Sequence, residues 1–596
     1  MTADEIRGTG TYRAEVRGGL GVVAAGRNFA AEAGMRMLAR GGNAIDAGVA
    51  ATFAAAVTEI SHFGLGGEAP IILYLADRKE VVVISGQGSA PAAASVDVFR
   101  AGGIPSSGPS AGTVPAVVDA LSIALAEFGT LSLADVLAPA VSLADGFAWY
   151  DFLTYYLRPE LENMRRYPSG ARVYLQGPEG RIPAVGSLFR QAELAGTLRA
   201  LVDEERRNIS RGRKAAIYAA RDRFYRGDIG QRIARAVQDA GGLLTAADLA
   251  KYRGRVERPT QLEFTAHGHR YEVFKTGFWG QGPVLLQTLE LLKGFDLVGL
   301  GHNSAEYIHT VTEALKLTLA DRDAHYGDPD FSRIPAAGLL APAYAAERRK
   351  LIDPKTASDL VRPGDPSRFG PGAEREGGGQ RAATVPGAMP SAMRPAVPPS
   401  GSPDTTCVNV ADGRGNLFSA SPSSAWFFGG VFIAGNTGIP LGNRMQAFVL
   451  DPGHPNVVHG GKRPRTTLSP TVVLRDGTPF LALSSPGGDS QDQQALQVLL
   501  NLIVFGMQTQ TAIEAPRFNS LHFHESFGAH DFKGGLEVES RLPADVVAEL
   551  ARRGHKVVSV GAFMMDTGTT LVGFDATHGT VFGAADVRRQ RFVTGW

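Results

Sequence analysis

Cysteine is almost absent from this sequence. Cys407 is the only one in 596 residues, so no disulfide can form within the chain and packing alone must hold the fold together. An excess of charge is also missing, because 60 basic and 59 acidic side chains leave a formal charge of +1. This balance gives no electrostatic reason to expect nucleic acid or an anionic membrane surface as a partner.

Long apolar runs are missing as well. The longest one, from Ala47 to Val57, is rich in alanine and shorter than the roughly 20 residues that a membrane-spanning helix needs, so we expect a buried helix there. The polar and acidic start Met1–Glu5 lacks the basic and apolar regions of a signal peptide. These absences favour a soluble, cytoplasmic protein, and the 44% of hydrophobic residues predict a large buried core.

The first half of the chain predicts helices and one hairpin. Residues Asn28 to Glu59 have helical apolar spacing interrupted by Gly41-Gly42-Asn43, which predicts two helices joined by a turn. The runs Ile71–Leu75 and Val81–Ile84 flank a charged turn and predict two paired strands. From Gly112 to about Leu351 the pattern is mostly helical.

The composition changes sharply near Arg362. Residues 364–403 are dense in Gly, Pro, Ser and Ala, so they bury too little surface to offset the entropy of ordering and predict a flexible linker. A β pattern begins directly after this linker. It predicts a hairpin and further strands, with one helix among them, which together indicate sheets flanked by helices. The expected strands are Cys407–Val410, Leu417–Ala420, Thr471–Leu474, Phe480–Leu483 and Thr569–Phe574, and the expected helix is Gln494–Phe505.

The junction Asp404-Thr405-Thr406, between linker and strand, has a chemical use. If the backbone breaks before Thr405, that residue gains a free α-amine beside its own hydroxyl. An amine with a pKa near 8 can accept the hydroxyl proton at neutral pH and so activate the nucleophile without a histidine. A threonine pair at a strand start is also explained by β-propensity alone, so the pattern by itself leaves both readings open.

A series of short motifs resembles one known family along nearly the whole chain. In the first half the motifs are Gly41-Gly42-Asn43-Ala44-Ile45-Asp46-Ala47, Gly64-Leu65-Gly66-Gly67, Ser89-Ala90-Pro91, Pro139-Ala140, Ala144-Asp145-Gly146-Phe147, Gly241-Gly242-Leu243-Leu244-Thr245 and Asp248-Leu249. In the second half they are Asp404-Thr405-Thr406, Phe428-Gly429, Lys462-Arg463-Pro464, Leu468-Ser469-Pro470-Thr471, Ser485-Pro486-Gly487-Gly488 and Ala515-Pro516-Arg517-Phe518. In this order they resemble the γ-glutamyltransferase (glutathione hydrolase) family.

The resemblance implies a fold and a cleaved architecture. The fold would be α/β, the four-layer αββα arrangement of N-terminal-nucleophile hydrolases. Cleavage between Asp404 and Thr405 would give a large subunit, 1–404, which ends in the linker, and a small subunit, 405–596. The two fragments would stay associated, and a higher oligomer is compatible with this. The substrate would be a small amide, with no cofactor and no metal.

The resemblance also implies catalytic roles. Thr405 would be the nucleophile, and Ser423 stands where the family has a second hydroxyl that assists it. Gly487 and Gly488 would form the oxyanion hole. This is physically sound, because a Gly-Gly turn can direct two backbone N–H groups at one oxygen with no Cβ in the way. A plain tight turn is the ordinary alternative for the two glycines.

The chain departs from the family where the family binds glutamate. The arginine that binds the substrate α-carboxylate is replaced by Gln87, and the aspartate that pairs with the α-amine by Gln446. An asparagine becomes Ala425, and a serine pair becomes Thr466-Thr467, which keeps the hydroxyls. A desolvated bidentate arginine–carboxylate bond is worth roughly a few kcal/mol, and glutamine cannot replace its charge.

The residues beside these changes favour an acyl group without the charges of glutamate. Trp426 and Phe427 follow Ala425 and add apolar surface, and the loop from Val457 to Lys462 is shorter than the lid of many family members. We therefore expect hydrolysis of a non-glutamyl amide with a neutral or aromatic acyl group. The alternative is a genuine γ-glutamyltransferase in which Arg444 or another cation binds the carboxylate.

Three other motifs carry weaker hypotheses. Gly108-Pro109-Ser110-Ala111-Gly112 matches the elbow of serine hydrolases, but a coil rich in Gly, Pro and Ser precedes it where the elbow needs a strand, so we expect a surface loop. His522-Phe523-His524-Glu525 offers metal-ligating side chains, yet no second cluster completes a site, and exposed loop histidines are expected. Asp321-Arg322-Asp323 falls on a helical pattern and predicts a solvated or salt-bridged face.

A pseudoenzyme that serves as a binding scaffold is the competing class of function. The retained Thr405, Ser423, Gly487 and Gly488 argue against it. A denaturing gel separates the classes, because two fragments support the enzyme, whereas one stable full-length band would favour the scaffold or a serine hydrolase that uses Ser110.

Overall fold

Two antiparallel β-sheets packed face to face form the centre of the molecule. The computed structural model describes residues 10–370, 405–425, 427–527 and 532–596. Residues 371–403 of the predicted 364–403 linker, Asp404 of the expected cleavage site and Trp426 of the expected substrate pocket lie outside the described residues.

The strands divide into two seven-stranded sheets and two small ones. In chain order they are β1 (Val16–Gly18), β2 (Gly21–Ala25), β3 (Ile71–Leu75), β4 (Glu80–Ile84), β5 (Phe147–Ala148), β6 (Leu188–Phe189), β7 (Val256–Glu257), β8 (Thr260–Ala266), β9 (His269–Lys275), β10 (Val408–Asp412), β11 (Leu417–Ala420), β12 (Thr471–Arg475), β13 (Thr478–Ser484), β14 (Phe518–Ser520), β15 (Gly535–Glu539), β16 (Lys556–Val560), β17 (Thr570–Asp575), β18 (Thr580–Ala585) and β19 (Phe592–Gly595). The first large sheet has the order β1-β18-β17-β13-β12-β9-β8, and the second has the order β19-β2-β10-β11-β3-β4-β7.

Alternation of side chains along the strands builds the layers. In β2, Val22 and Ala24 point into the core between the two sheets, whereas Val23 points to the other face and joins the helical core there. In β12, Val472 faces the second sheet and Val473 faces helices on the opposite side. Because successive residues of a strand point to opposite faces, each sheet is apolar on both sides and must be covered on both.

Helices cover the outer face of each sheet. Those described are Asn28–Ala39, Ala44–Thr58, Val96–Phe99, Val117–Phe128, Leu133–Asp145, Asp151–Arg166, Pro168–Tyr174, Ala192–Asn208, Arg213–Tyr225, Asp228–Asp239, Ala246–Lys251, Pro283–Leu292, Leu297–Leu300, Ala305–His325, Ala336–Leu339, Pro342–Arg349, Gln491–Ile503, Thr509–Glu514 and Ala544–Arg552. The earlier ones cover the second sheet, and Pro283–Leu292, Ala305–His325 and Gln491–Ile503 cover the first. The four-layer αββα fold is therefore confirmed.

The predicted helix pair and both predicted hairpins are confirmed. Ala44–Thr58 begins at Asn43, whose side chain accepts hydrogen bonds from the backbone N–H groups of Ile45 and Asp46. Every residue of this helix is buried, as its apolar composition predicted. The hairpins are β3 with β4 and β10 with β11.

Two boundaries differ from the sequence expectation. The mostly helical pattern predicted from Gly112 to Leu351 is wrong at 260–275, where β8 and β9 pair at the edge of the first sheet. In β8, buried Leu262 and Phe264 alternate with exposed neighbours, which is the two-residue period of a half-buried strand. The helix expected from Gln494 begins earlier, at Gln491.

The folded part of the first half extends into the predicted linker. Pro366 is buried, and the Gly364 N–H donates a hydrogen bond to Asp321 at 2.7 Å. Segment 364–370 therefore packs against the helix Ala305–His325, where composition alone predicted a tether. No helix among the described residues has the length and apolar character needed to cross a membrane.

Candidate active site

Thr405 lies inside the molecule, just before the central strand β10. Its side chain and backbone are 2% exposed. Its hydroxyl oxygen accepts a hydrogen bond from the Gln491 side-chain amide at 3.1 Å, and its carbonyl accepts one from the Arg591 guanidinium at 3.3 Å. The strand that follows, β10, pairs with β2 on one side and β11 on the other, so Thr405 directly precedes a strand held on both edges.

The next residue fixes the backbone at Thr405. The Thr406 N–H donates to the Pro422 carbonyl at 2.9 Å, and its hydroxyl donates to the Glu59 carboxylate at 2.5 Å. Gly26 lies against this pair, and a Cβ there would stand only 2.0 Å from the Glu59 carboxylate and 2.1 Å from the Thr406 hydroxyl. Glycine at position 26 thus leaves the space that the buried Thr406–Glu59 hydrogen bond occupies.

The segment that pairs with Thr406 also brings Ser423 to the site. Ser423 directly follows Pro422 and is 1% exposed. It exchanges both backbone hydrogen bonds with Glu68, at 2.8 and 2.9 Å, and its hydroxyl accepts from the Ala425 N–H at 2.9 Å. The family resemblance placed Ser423 beside the nucleophile, and the structure brings the two residues to the same end of the second sheet.

Gly487 and Gly488 form the turn between β13 and the helix Gln491–Ile503. Their φ angles are 115° and 56°, in the left-handed region where glycine avoids a steric penalty. A Cβ on Gly487 would stand 2.7 Å from the Asp566 carbonyl oxygen. Because the helix begins at Gln491, which contacts Thr405, the turn and the positive end of the helix both lie near Thr405.

Buried ionic contacts hold this turn and helix end in place. Asp489 accepts from the Ser526 N–H at 2.9 Å and from its hydroxyl at 2.6 Å, and it is also paired with Arg322. Asp492, fully buried in the first turn of the helix, pairs with the Lys275 ammonium at 2.9 Å and accepts from the Ser469 hydroxyl at 2.5 Å. A position fixed in this way suits an oxyanion site, where the donors must not move during the reaction.

Sequence reasoning missed Gln491, Glu59 and Arg591. Nothing in their local sequence marks them, since a glutamine at a helix start and an arginine near the chain end are ordinary. The sequence does hold one signal for Gln491, which stands three residues after Gly488, the second glycine of the expected oxyanion turn, at the start of a helix. The same turn that aims the glycines must then aim this side chain.

The residues expected to bind the substrate are mostly bonded to the backbone. Gln87 is 1% exposed and its side-chain amide donates to the Pro464 carbonyl. Gln446 is half-buried and donates to the Ser106 carbonyl at 3.0 Å. Thr466 and Thr467 are buried, and the Thr466 hydroxyl accepts from the Leu468 N–H at 3.3 Å.

Ala425 directly follows the Ser423 segment and carries backbone strain. It is buried with a φ of 75°, in the left-handed region that a residue with a Cβ rarely adopts. Strained backbone of this kind is concentrated at functional sites. The stretch that follows, Phe428 to Gly430, has positive φ at each residue.

A buried ion pair adjoins this segment. The Arg444 guanidinium, 1% exposed, donates from Nε to the Glu68 carboxylate at 3.1 Å. Burial raises the pKa of Glu68 to about 7, although Arg444 acts in the opposite direction. The ring of Phe527 lies 5.2 Å from the guanidinium carbon.

The structure answers two of the weaker sequence hypotheses. Ser110 lies in an irregular loop, with its hydroxyl 3.4 Å from the Gly241 carbonyl, as expected of a loop residue and not of a nucleophile elbow. The exposed position expected for His522 is wrong. Its ring is 2% exposed and accepts from the Gly534 N–H at 2.8 Å, and burial lowers its pKa to about 4.

Asp321-Arg322-Asp323 is salt-bridged, as one of the two readings predicted, but it is not solvated. Asp321 and Arg322 are 1% and 0% exposed. Arg322 pairs with Asp323 and with Asp489, while Asp321 pairs with Arg348 at 3.2 Å. The helical spacing of these residues could not show whether this side of the helix faces solvent or packs against other parts of the protein. Through Asp489, Arg322 of this triplet holds the end of the Gly487-Gly488 turn.

A second buried cluster lies away from Thr405. His309, Glu313 and His555 bring one ligand atom each within 4.8 Å of the others. The Lys316 ammonium pairs with Glu313 at 2.6 Å, so the carboxylate of this cluster already has a cation. Burial lowers the pKa of His555 to about 3 and keeps its ring neutral. These side chains therefore form a buried polar network at the helix Ala305–His325.

Comparison with known proteins assigns the chain to one family. The family model described as "Gamma-glutamyltranspeptidase" matches residues 30–596. The chain belongs to the γ-glutamyltranspeptidase family. The chain is similar to the "Glutathione hydrolase-like YwrD proenzyme" of Bacillus subtilis, with 31% identity over 570 residues that cover 95% of this chain and 97% of the relative.

Two acylases are similar over the same extent. The "Acylase ACY 1 proenzyme" of Pseudomonas sp. strain SE83 is 31% identical over 586 residues, covering 95% of this chain and 92% of the relative. A crystal structure of a cephalosporin acylase from Bacillus halodurans superposes with a TM-score of 0.82 at 28% identity, covering 98% of this chain and 97% of that one. The γ-glutamyltranspeptidase family member described here is thus an amidohydrolase or acyltransferase.

Proposed function

We propose that this chain is an N-terminal-nucleophile amide hydrolase that cuts its own backbone between Asp404 and Thr405 and then uses the new Thr405. The observation that carries the proposal is the position of the Thr405 hydroxyl. It is buried shortly before the strand β10 and 3.1 Å from Gln491, which begins the helix after the Gly487-Gly488 turn. A nucleophile, a fixed turn and a helix N-terminus in one place suit acyl transfer.

The proposed cycle has two steps. The Thr405 hydroxyl oxygen attacks the amide carbonyl carbon while its proton passes to the Thr405 α-amine. That proton then goes to the departing amine as the C–N bond breaks, leaving an ester on Thr405. Water attacks the ester, the amine again takes and returns a proton, and the carboxylic acid leaves with the threonine hydroxyl restored. Gly487 and Gly488 N–H groups stabilise the oxyanion in both steps.

Cleavage need not separate the two pieces. Strand β10, in the proposed small fragment, pairs with β2 of the large one, and β11 pairs with β3. In the other sheet, β12 pairs with β9. Each sheet therefore contains strands from both sides of the cleavage point, so the fragments stay joined by backbone hydrogen bonds and by the shared core. This arrangement supports a stable two-fragment protomer.

Replacing Gln491 by leucine should slow turnover without unfolding the protein. The substitution keeps the approximate size but removes the hydrogen bond to the Thr405 hydroxyl. A neutral hydrogen bond is worth about 1 kcal/mol, so we expect kcat to fall roughly five- to tenfold. Gln497→Leu is the matched control, because Gln497 is buried in the same helix but bonds to Phe518. Unchanged kcat in Gln491→Leu would remove this residue from the mechanism.

The proposed substrate is an amide whose acyl group lacks the glutamate zwitterion. Gln87 and Gln446 carry no charge, and the amide of each donates to a backbone carbonyl. Specificity in such enzymes follows from binding of the acyl part, so these changes act on substrate choice while Thr405 and the glycine turn remain. Acylases and glutathione hydrolases both match the chain at 31% identity, so the proposal rests on these site residues and not on the names of the relatives.

A substrate panel tests the proposed specificity. The wild-type enzyme should hydrolyse γ-glutamyl-p-nitroanilide at least about tenfold less efficiently, in kcat/KM, than the best non-glutamyl acyl-anilide, since the charged anchors for glutamate are absent. The double variant Gln87→Arg/Gln446→Asp restores both charges and should move the preference towards the γ-glutamyl compound. A wide wild-type preference for the γ-glutamyl compound would instead favour a genuine γ-glutamyltransferase.

A further inference from the structure

Gln491 contacts Thr405 with only one end of its side-chain amide. The Nε2 group donates to the Thr405 hydroxyl oxygen at 3.1 Å, whereas the carbonyl oxygen Oε1 has no hydrogen-bond partner among the described residues. Gln491 is 1% exposed, so bulk water does not reach this oxygen. Buried acceptors without a donor are rare because they are costly. The free oxygen beside the nucleophile therefore indicates a donor that is present in the working enzyme.

Cleavage before Thr405 would supply such a donor. The peptide N–H of Thr405 would become an amine with two hydrogens, or with three when it is protonated. The oxygen and nitrogen of a glutamine amide are about 2.3 Å apart, and the amine and hydroxyl of a threonine are about 3 Å apart in a gauche rotamer. The amide of Gln491 and an N-terminal Thr405 can therefore form two hydrogen bonds side by side.

The charged groups around these two residues already have partners. The Arg591 guanidinium, which donates to the Thr405 carbonyl, lies 3.8 Å from the Glu59 carboxylate, and Glu59 accepts from the Thr406 hydroxyl. Burial raises the pKa of the Cys407 thiol and so keeps it uncharged. The partners of the other charged groups are Arg322 for Asp489, Lys275 for Asp492, Arg444 for Glu68, Asp566 for Arg589 and a backbone carbonyl for Arg27. Because these charges offset each other, a neutral acceptor in direct contact has a large effect on a protonated amine.

We propose that Gln491 positions the base as well as the nucleophile. After cleavage its Oε1 accepts a hydrogen bond from the Thr405 α-amine, while its Nε2 group still donates to the hydroxyl oxygen. With one N–H held by Oε1, the nitrogen lone pair can face the hydroxyl and take its proton. The Oε1 dipole then stabilises the ammonium until the proton passes to the leaving amine. This inference rests on the proposed hydrolase function and makes Gln491 a positioning residue whose second contact forms only in the cut chain.

Two substitutions of Gln491 should move the acid limb of the pH profile of kcat/KM in opposite directions. That limb reports the pKa of the α-amine in the free enzyme. Gln491→Leu removes the acceptor and destabilises the ammonium, so the limb should move to lower pH by about one unit. Gln491→Glu keeps an acceptor and adds a negative charge, so the limb should move to higher pH by about one unit or more. Gln497→Leu, in the same helix but bonded to Phe518, is the control and should leave the limb in place.

A crystal structure of the cut wild-type enzyme keeps the test independent of the variants' folding. It should place the Thr405 α-nitrogen within about 3.2 Å of the Gln491 Oε1 atom. A separation of more than about 4 Å, or an acid limb that stays in place in both Gln491 variants, would overturn this role of Gln491 and leave the hydrolase proposal intact. A purely structural role would give that second result, with a lower kcat and an unmoved limb. A wild-type chain that stays uncut and inactive would contradict the hydrolase proposal itself.

Discussion

Replacing Thr405 by alanine is expected to leave the chain uncut and inactive. The variant lacks the hydroxyl that attacks both its own backbone and the substrate, and removing a nucleophile leaves only the contributions of binding and oxyanion stabilisation. We expect a single full-length band on a denaturing gel and a loss of acyl-anilide hydrolysis of more than about a thousandfold. The wild-type protein should give two bands, and N-terminal sequencing of the smaller one should begin Thr-Thr-Cys.

Thr405→Ser is the matched control for this experiment. Serine keeps the hydroxyl at the same position, which accepts the hydrogen bond from Gln491, so cleavage should continue at a measurable rate. Normal cleavage in Thr405→Ala would end the assignment of Thr405 as the processing nucleophile. Mass spectrometry of a trapped intermediate tests the assignment of the nucleophile independently. The acyl group should lie on the small fragment, and an acyl group on Ser110 would contradict the mechanism.

The second large effect is expected for Gly487→Ala. A Cβ at this position would stand 2.7 Å from the Asp566 carbonyl and would strain a backbone with φ of 115°, so the turn must move. Losing one oxyanion donor typically costs about 100- to 1000-fold in kcat, and we expect a loss in this range. The measurement is kcat on the best acyl-anilide of the panel, with thermal unfolding recorded in parallel.

Gly477→Ala separates the oxyanion effect from backbone strain. Gly477 lies in the turn between β12 and β13, with φ of 79° and no atom within 4 Å of an added Cβ. The control thus adds left-handed strain without a clash and at a distance from Thr405. It should lower stability by roughly 1 kcal/mol and leave kcat unchanged. Similar kcat losses in both variants would show that the Gly487 effect is not specific to the turn.

The residues packed around Thr405 come from both halves of the chain. Glu59 and Glu68 come from the first half of the chain, and Gln491 and Arg591 from the second. Their contacts meet at the end of β10, which is itself inserted between strands of the first half. If the proposed cleavage occurs, Thr405 therefore stays among the same contacts from both halves of the chain.

Much of the fold followed from local sequence. The helix pair around Gly41-Gly42-Asn43, the hairpin β3–β4 and the hairpin β10–β11 were predicted correctly, because apolar periodicity and turn residues act over a few neighbouring positions. The αββα architecture, and the roles still only expected for Thr405, Gly487 and Gly488, came instead from the resemblance of the motif series to one family. The spacing of apolar residues alone assigned 260–275 wrongly to the helical region, since a short half-buried strand among helices gives a weak signal.

What the sequence determined by itself is thus the layered fold, the family and the residues expected to carry the reaction. Tertiary structure decided which side chains face the nucleophile and which are already bonded. It placed Gln491 on Thr405, bonded Gln87 to a backbone carbonyl and buried His522. The burial and the hydrogen-bond partners of a side chain depend on residues hundreds of positions away, so no local sequence pattern reveals them. They also determine which charged and polar groups line the site.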